Sequence, residues 1–275
     1  MSNNFSKRIT GIFKKKRIQR DEAIVISKGG NSAFEESYNR LKDNILYCCG
    51  DEAHKVIQIE SSIAGEGKTT LVSNLAVSLA LNDKKVIVVD FDLRKSRIHR
   101  PFKVSKEIGI GEYASGEKTK EEIIKHTEYG VDVITRGKKI YNASLVLSSQ
   151  KIKDLISELK EEYDFVLLDC PPVLIISDYI NITRFSDAVI FVVAAGYTKK
   201  SAVKEAYNLL IRAGANVIGS VMTFAEESMH GYSYYKYGKY GKYGYHYGYR
   251  YYNSYGDKTD DEEKSADDES AGGKE

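Results

Sequence analysis

The sequence predicts an α/β domain with a mostly parallel sheet flanked by helices, and three observations carry that prediction. Apolar runs such as Val86–Val89, Phe165–Leu168 and Ala188–Val193 lack the alternation of half-exposed strands, so they belong in strands covered on both faces. Stretches with helical spacing lie between them, and strands that alternate with helices form parallel sheets through right-handed crossovers. The third observation is the stretch Ile57–Thr70, IQIESSIAGEGKTT, where a β-branched run breaks into a glycine-rich turn and then Lys-Thr-Thr.

That stretch reads as a phosphate-binding loop, which makes the fold class a P-loop NTPase. Gly65 and Gly67 lack Cβ atoms, so backbone N–H groups there can curl around phosphate oxygens. Lys68 adds a charge for the outer phosphates and Thr69 a hydroxyl for Mg²⁺. The helix that opens here contributes free N–H donors and the positive end of its dipole. Ala64, Gly65, Glu66, Gly67, Lys68, Thr69 and Thr70 are therefore the expected phosphate cradle. The strict pattern has Gly where Ser62 stands. Context supports the motif nonetheless, because Val56, Ile57 and Ile59 precede it as a strand and Leu71, Val72, Leu75, Ala76 and Leu79 follow at helical spacing. The plain alternative is a glycine-rich turn with a surface lysine.

Charge is near balance at +2 over 275 residues, but it is loaded at the ends. Residues 7–20 hold seven Lys or Arg and no acid, and residues 257–275 hold nine Asp or Glu against three Lys. Residues 1–22 are thus a basic leader, either disordered or lying on anionic lipid through Phe5, Ile9, Ile12 and Phe13. Cys48, Cys49 and Cys170 have no C-x-x-C spacing and no secretory signal accompanies them, which argues against a disulfide framework or a metal cluster. No apolar run reaches the roughly 20 residues that cross a bilayer.

After the leader, Ala23–Ser27 is a possible short strand and Phe34–Leu46 a helix with Phe34, Tyr38, Leu41 and Ile45 on one stripe, expected to pack on a sheet edge or a neighbouring subunit. Strands are expected at Val56–Ile59, Val86–Val89, Val131–Thr135, Phe165–Leu168, Ala188–Val193 and Val217–Met222. Helices are expected from Lys68 to about Leu81, at Gln150–Glu161 and at Ser201–Ala213, with a further segment around Lys120–Lys125. One domain, residues 23–229, follows.

Asp90 and Asp92 follow one apolar strand and Asp169 another, and ligands of open α/β sheets sit beyond these carboxyl ends. A lone strand-end Asp is often a cap or turn residue. Three beside a P-loop point to Mg²⁺ coordination and proton handling. Arg94, Lys95, Arg97, His99 and Arg100 come next and make a basic loop, suited to phosphate or to a neighbour's acidic residues. Pro171 and Pro172 turn the chain away from the sheet. Ser177 and Asp178 then read as caps of a helix running to Arg184.

From residue 230 to 256 the composition changes to tyrosine interleaved with Gly, Lys, His and Arg, with twelve of the chain's 21 tyrosines: Tyr232, Tyr234, Tyr235, Tyr237, Tyr240, Tyr243, Tyr245, Tyr247, Tyr249, Tyr251, Tyr252 and Tyr255. Without Leu, Ile or Val the segment has no core of its own and is expected to be disordered, as is the acidic tail at 257–275. It suits a low-complexity linker, a stacking surface for nucleic acid or sugar, or a set of phosphoacceptors, each phosphate adding roughly −1.5 to −2 charges.

With the P-loop, Asp90-x-Asp92-Leu93-Arg94-Lys95, Leu167-Leu168-Asp169-x-Pro171-Pro172 and a terminal tyrosine cluster in this order, the chain resembles the bacterial tyrosine kinases, in their cytoplasmic capsular or exopolysaccharide form. Asn142–Ser149 and Pro172–Asp178 extend the likeness, which covers about residues 23–255. The resemblance implies an ATP- and Mg²⁺-dependent protein-tyrosine autokinase, unrelated in fold to eukaryotic kinases. By position, Lys68 binds phosphates, Thr69 and Asp169 hold Mg²⁺, and Asp90 and Asp92 share metal coordination and removal of the tyrosine proton, with Asp90 the base. It further implies ring assembly through the N-terminal helix (Glu36, Arg40 and Lys42 here) and phosphorylation between subunits. A transmembrane adaptor of the polysaccharide copolymerase type would recruit the cytoplasmic protein to the inner face of the membrane, a cognate tyrosine phosphatase would oppose it, and no nucleic acid would bind. The chain departs from the family pattern at four places. Asn39 and Lys42 interrupt the Glu-x-x-Arg-x-x-Arg helix, Ala64 replaces a loop proline, Thr223 stands for a base-contacting Asn, and Ala194 for an Arg. Two rival readings share the motifs: a positioning ATPase of the deviant Walker type, whose signature lysine is replaced here by Ile63, and a catalytically weak scaffold for polysaccharide assembly.

Overall fold

The structure is a computed structural model that describes residues 24–27, 33–49 and 54–225. The basic leader, the tyrosine-rich segment and the acidic terminus lie outside the described residues. Seven strands form one sheet: β1 (Val56–Ser61), β2 (Val86–Asp90), β3 (Lys125–His126), β4 (Val131–Ile134), β5 (Phe165–Asp169), β6 (Ala188–Ala194) and β7 (Val217–Thr223), in the order β3-β4-β2-β5-β1-β6-β7. Every pairing is parallel except β3 with β4. The exception arises at a turn where the Thr127 N–H bonds the Val131 carbonyl at 3.2 Å and Gly130 takes φ +71°, which reverses the chain straight into β4.

The helices are α1 (Ala33–Cys49), α2 (Lys68–Ala80), α3 (Ile110–Ser115), α4 (Lys120–Ile123), α5 (Ala143–Ser148), α6 (Gln150–Glu162), α7 (Tyr179–Thr183) and α8 (Lys200–Arg212). The sequence logic is plain in α6. Ser149 caps it by accepting from the Ile152 N–H, and Ile152, Leu155, Ile156 and Leu159 recur at helical spacing and are all buried. Each such burial stabilises by about 1.5–3 kcal/mol, and truncating Leu155 to Ala would cost about 2–5 kcal/mol. Helices α1 and α2 cover one sheet face over Ile57, Ile59, Val88 and Leu167. The other face carries α5, α6 and α7 over Val56, Ile87, Val89 and Leu168, and α8 covers the β6 end through Ala206 and Leu210.

Two expectations are corrected. Residues 24–27 form no strand, because their backbone bonds to side chains: Val25 and Ile26 donate to Asn74 Oδ1 at 2.8 and 3.3 Å, and Ser27 donates to Glu35 Oε1. Helix α1 packs not at an edge but across α2, with Tyr38 and Ile45 buried in the core. Burial pushes the Tyr38 phenol up to about 12. Strand β7 ends the strand order and is covered only in part, leaving Met222 65% exposed.

Candidate active site

The site forms where β1 turns into α2. Gly65 and Gly67 adopt φ +83° and +88°, the left-handed region that glycine enters without a Cβ penalty. Lys68, nearly buried at 9% exposure, turns its ammonium inward and donates to Ser61 Oγ at 2.7 Å. Ser61 in turn donates to the Ile63 carbonyl at 2.9 Å. Thr69 Oγ1 donates to Asp169 Oδ2 at 2.8 Å, linking the first turn of α2 to the tip of β5.

Parallel pairing brings the carboxylates together. Asp90 and Asp169 are register partners at the carboxyl ends of β2 and β5, and the N–H groups of Phe91 and Asp92 both donate to the Asp169 carbonyl, at 2.9 and 3.0 Å. Asp90 is fully buried. Its Oδ2 accepts from Ser96 Oγ at 2.6 Å and from the Ile98 N–H at 3.3 Å, while its Oδ1 accepts from nothing. Burial foremost, then the charges of Asp169 and Asp92, raise the Asp90 carboxyl well above the usual carboxylate range. Asp92 accepts from the Lys95 N–H at 2.9 Å. Among the described residues no three His, Cys, Asp or Glu side chains converge into a protein-only metal cage. Mg²⁺ in phosphoryl-transfer sites takes one or two carboxylates and completes its shell with waters and substrate phosphates. A buried carboxylate oxygen without a donor and a Thr–Asp pair beside a phosphate loop fit such an ion.

Several side chains build the site in ways that the motifs do not signal. The Glu66 side chain, fully buried beneath the loop, accepts from the Ile63 N–H at 2.7 Å, from the Ala194 N–H at 3.3 Å and from Thr198 Oγ1. Glu60 lies buried in β1, accepts from Gln58 Nε2 at 2.6 Å, and keeps its other oxygen without a partner. Burial pushes this carboxyl up to about 8. A signal was present, since Gln58 and Glu60 put two polar groups on one side of a strand otherwise covered on both faces. Asp178 does not cap α7 with its side chain, as the sequence suggested. It is buried at 1% exposure, where it accepts from Arg94 Nη1 and from Ser144 Oγ, the latter at 2.6 Å, so the first arginine of the basic loop is tied to α5 and α7.

The expected assembly residues are split. Glu36 and Arg40 form an exposed ion pair at 3.2 Å, whereas the Lys42 side chain is 10% exposed and meets Asp43 at 3.3 Å. The phosphoacceptor tyrosines, Tyr232 to Tyr255, lie outside the described residues.

A glycine-rich loop between a parallel strand and a helix, with acidic residues on the neighbouring strand tips, defines a P-loop NTPase-class protein. Residues 54–214 match the family model described as an AAA domain. The tyrosine-protein kinase YwqD of Bacillus subtilis is 31% identical over 221 residues, which is 80% of this chain and 92% of that protein. The tyrosine-protein kinase ptk of Acinetobacter johnsonii is 31% identical over 82% of this chain, which spans only 30% of that longer protein. Among solved structures, the chimerical protein CapA2B2 superposes with a TM-score of 0.69 at 30% identity, over 72% of this chain and 88% of its own. The septum site-determining protein MinD of Pyrococcus horikoshii, in complex with Mg-ADP, reaches 0.53 at 26% identity, over 61% of this chain and 69% of its own. The chain belongs to the bacterial tyrosine kinases.

Proposed function

We propose that this protein transfers the γ-phosphoryl group of ATP to the tyrosines of the 230–256 segment on a neighbouring copy, and that this controls capsular or exopolysaccharide assembly. The observation that carries the reading is the hydrogen bond from Thr69 of the phosphate loop to Asp169 at the tip of β5, where Asp90 is the register partner of Asp169 on β2.

In this reading the backbone N–H groups of residues 64–70 cradle the phosphates. Lys68 leaves Ser61 to neutralise charge on the transferring group. Thr69, Asp169, Asp90 and Asp92 would hold Mg²⁺, which supplies charge neutralisation on the phosphates. The tyrosine oxygen attacks the γ-phosphorus, the bond to the bridging oxygen breaks, ADP leaves and the phenolic proton passes to Asp90. The raised proton affinity of Asp90 suits that last role, and a loose transition state asks more of positioning than of base strength.

Self-association through the exposed Glu36–Arg40 face of α1, activation by a membrane adaptor that brings the protein to the inner face of the membrane, and reversal by a tyrosine phosphatase complete the reading. No helix among the described residues is long and apolar enough to cross a membrane. Phosphates accumulating on the tyrosines would drive copies apart by like-charge repulsion. The positioning-ATPase alternative is disfavoured because the apolar Ile63 holds the signature-lysine position.

The test is incubation of the purified chain with MgATP, with and without the cytoplasmic segment of a candidate adaptor, followed by mass-spectrometric mapping. Phosphate within Tyr232–Tyr255 is the expected result. Brisk ATP hydrolysis without phosphotyrosine, even with adaptor, contradicts the kinase reading and favours the positioning ATPase.

A further inference from the structure

Charge is distributed unevenly at the carboxyl end of the sheet. β2 and β4 are parallel neighbours, with Val89 paired to Ile134, so the chain leaving each strand emerges on the side where Asp90 lies. Both exits are basic. Residues 94–106 hold six Lys or Arg and residues 136–139 three more, and neither run contains an acid.

The fold joins the two runs into one surface. Arg136 Nη1 donates to the Arg94 carbonyl at 3.4 Å. The first run is fixed by turns, in which the Arg100 N–H bonds the Arg97 carbonyl at 3.0 Å and the Val104 N–H bonds the His99 carbonyl at 3.1 Å. Ile98 and Phe102 anchor it by burial in the core. With its apolar residues inside, the loop leaves charge at the rim: Arg100 and Lys139 are exposed and Arg136 is half-buried. Part of the charge is answered within the domain, since Arg94 turns to the buried Asp178, Lys138 meets Glu117 at 3.0 Å and Lys103 meets Glu128 at 3.5 Å. Arg100, Arg136 and Lys139 form no ion pair among the described residues.

The chain supplies a counterpart of opposite sign. Residues 257–275 carry nine Asp or Glu against three Lys, densest at Asp260, Asp261, Glu262 and Glu263. Only Gly256 separates Asp257 from Tyr255, the last tyrosine of the rich segment. An acidic segment seated on the basic loops therefore brings those tyrosines to the end of the sheet where Asp90 lies. The last described residue is Ala225, and the 32 residues from it to Asp257 reach at most roughly 100–115 Å, ample for a neighbouring copy.

We propose that the basic surface of residues 94–106 and 136–139 is a docking site for the acidic segment 257–275 of a second copy, which anchors the substrate chain while its tyrosines are phosphorylated. The inference rests on the autokinase reading and deepens it, because it assigns substrate recognition to charges outside both the tyrosines and the nucleotide site. Opposite charges on the two surfaces steer the encounter and fix which partner is held, and exposed pairs of this kind weaken as salt rises.

The test uses two full-length chains. The donor keeps Lys68, has the twelve tail tyrosines replaced by phenylalanine and has the nine acids of 257–275 replaced by Asn or Gln, so that it cannot occupy its own surface. The acceptor carries Lys68→Met with its acidic segment either native or neutralised in the same way. Neutralising the acceptor should raise its KM about 5- to 30-fold and leave kcat within about two-fold, the pattern of lost binding rather than lost chemistry. Arg100→Glu with Lys139→Glu in the donor should raise the KM of the native acceptor and add nothing for the neutral one. In parallel, fluorescence anisotropy of a labelled 257–275 peptide on the donor should show saturable binding that falls with salt and with the two loop substitutions. Phosphotyrosine formed with equal KM for both acceptors overturns the docking site alone. Effects of tail and loop that add instead of overlapping overturn it as well, as does peptide binding that survives the loop substitutions but is lost when the basic residues of 7–20 are neutralised. Loop substitutions that release anionic vesicles or single-stranded RNA but not the peptide would assign the surface to another polyanion and overturn the proposal. Peptide binding with the expected pattern but no phosphotyrosine leaves the docking site standing and sinks the kinase reading alone.

Discussion

The two flanks of the phosphate loop are built on opposite principles. On the β5 and β2 flank, Asp90 keeps a buried oxygen without a donor, and like charges from Asp92 and Asp169 surround it. On the β6 and β7 flank, Glu66 is saturated by Ile63, Ala194 and Thr198, and Thr223 ties down the loop carbonyl. An unsatisfied buried polar group costs about 1–3 kcal/mol, more when charged, so the first flank is held at a cost that a cation and phosphates can relieve. The second flank is finished before any ligand arrives. The chemistry sits where the fold is frustrated and the positioning sits where it is satisfied.

Substitutions separate the two. Lys68→Met should lower phosphotyrosine formation about 1,000-fold with the fold intact by circular dichroism, because it removes charge stabilisation from the transferring group. Asp90→Asn should lower transfer about 100-fold while ADP binding, read by calorimetry, survives. Glu66→Gln acts on the satisfied flank and should instead cost about 1–3 kcal/mol of stability, a fall of a few degrees in melting temperature, since the amide has one acceptor oxygen for donors that now share two. A Glu66→Gln chain as stable as the native one but as inactive as Lys68→Met would erase the distinction.

A smaller effect concerns pH. The Glu60 carboxyl rises in the fold to about 8, so the folded chain holds a proton that the unfolded chain releases near pH 4.5. Stability attributable to this group is full below pH 4.5 and is lost as pH rises toward about 8. Glu60→Gln should flatten that part of the stability profile, measured by denaturant titration at successive pH values without nucleotide. Smallest of all, breaking the exposed Glu36–Arg40 pair with Arg40→Ala should shift stability by less than about 0.5 kcal/mol. In the proposed assembly role it should nonetheless reduce oligomer in sedimentation velocity.

The two flanks also differ in how far the sequence discloses them. Strand tips announce themselves: an apolar run ending in Asp beside a glycine-rich loop gives Asp90, Asp92, Asp169, Lys68 and Thr69, and the parallel register of β2 and β5 then joins residues 79 apart in sequence. The β6 and β7 flank is silent because its residues act through backbone groups and one buried side chain. The Glu66 role depends on Thr198, 132 residues away, and no local pattern encodes that pairing. Short helices such as α3 and α5 were equally hidden, since a six-residue turn has too few apolar positions to show a period. The 24–27 segment misled for a related reason: its β-branched residues extend the chain, but Asn74 rather than a strand receives its N–H groups.

The most direct measurement of the central claim mixes two full-length chains with MgATP. One carries Lys68→Met and keeps its tyrosines; the other keeps Lys68 and has the twelve tail tyrosines replaced by phenylalanine. Transfer between subunits predicts phosphotyrosine on the Lys68→Met chain in the mixture and on neither chain alone. A mixture in which the phenylalanine chain hydrolyses ATP while its partner gains no phosphate would contradict the account.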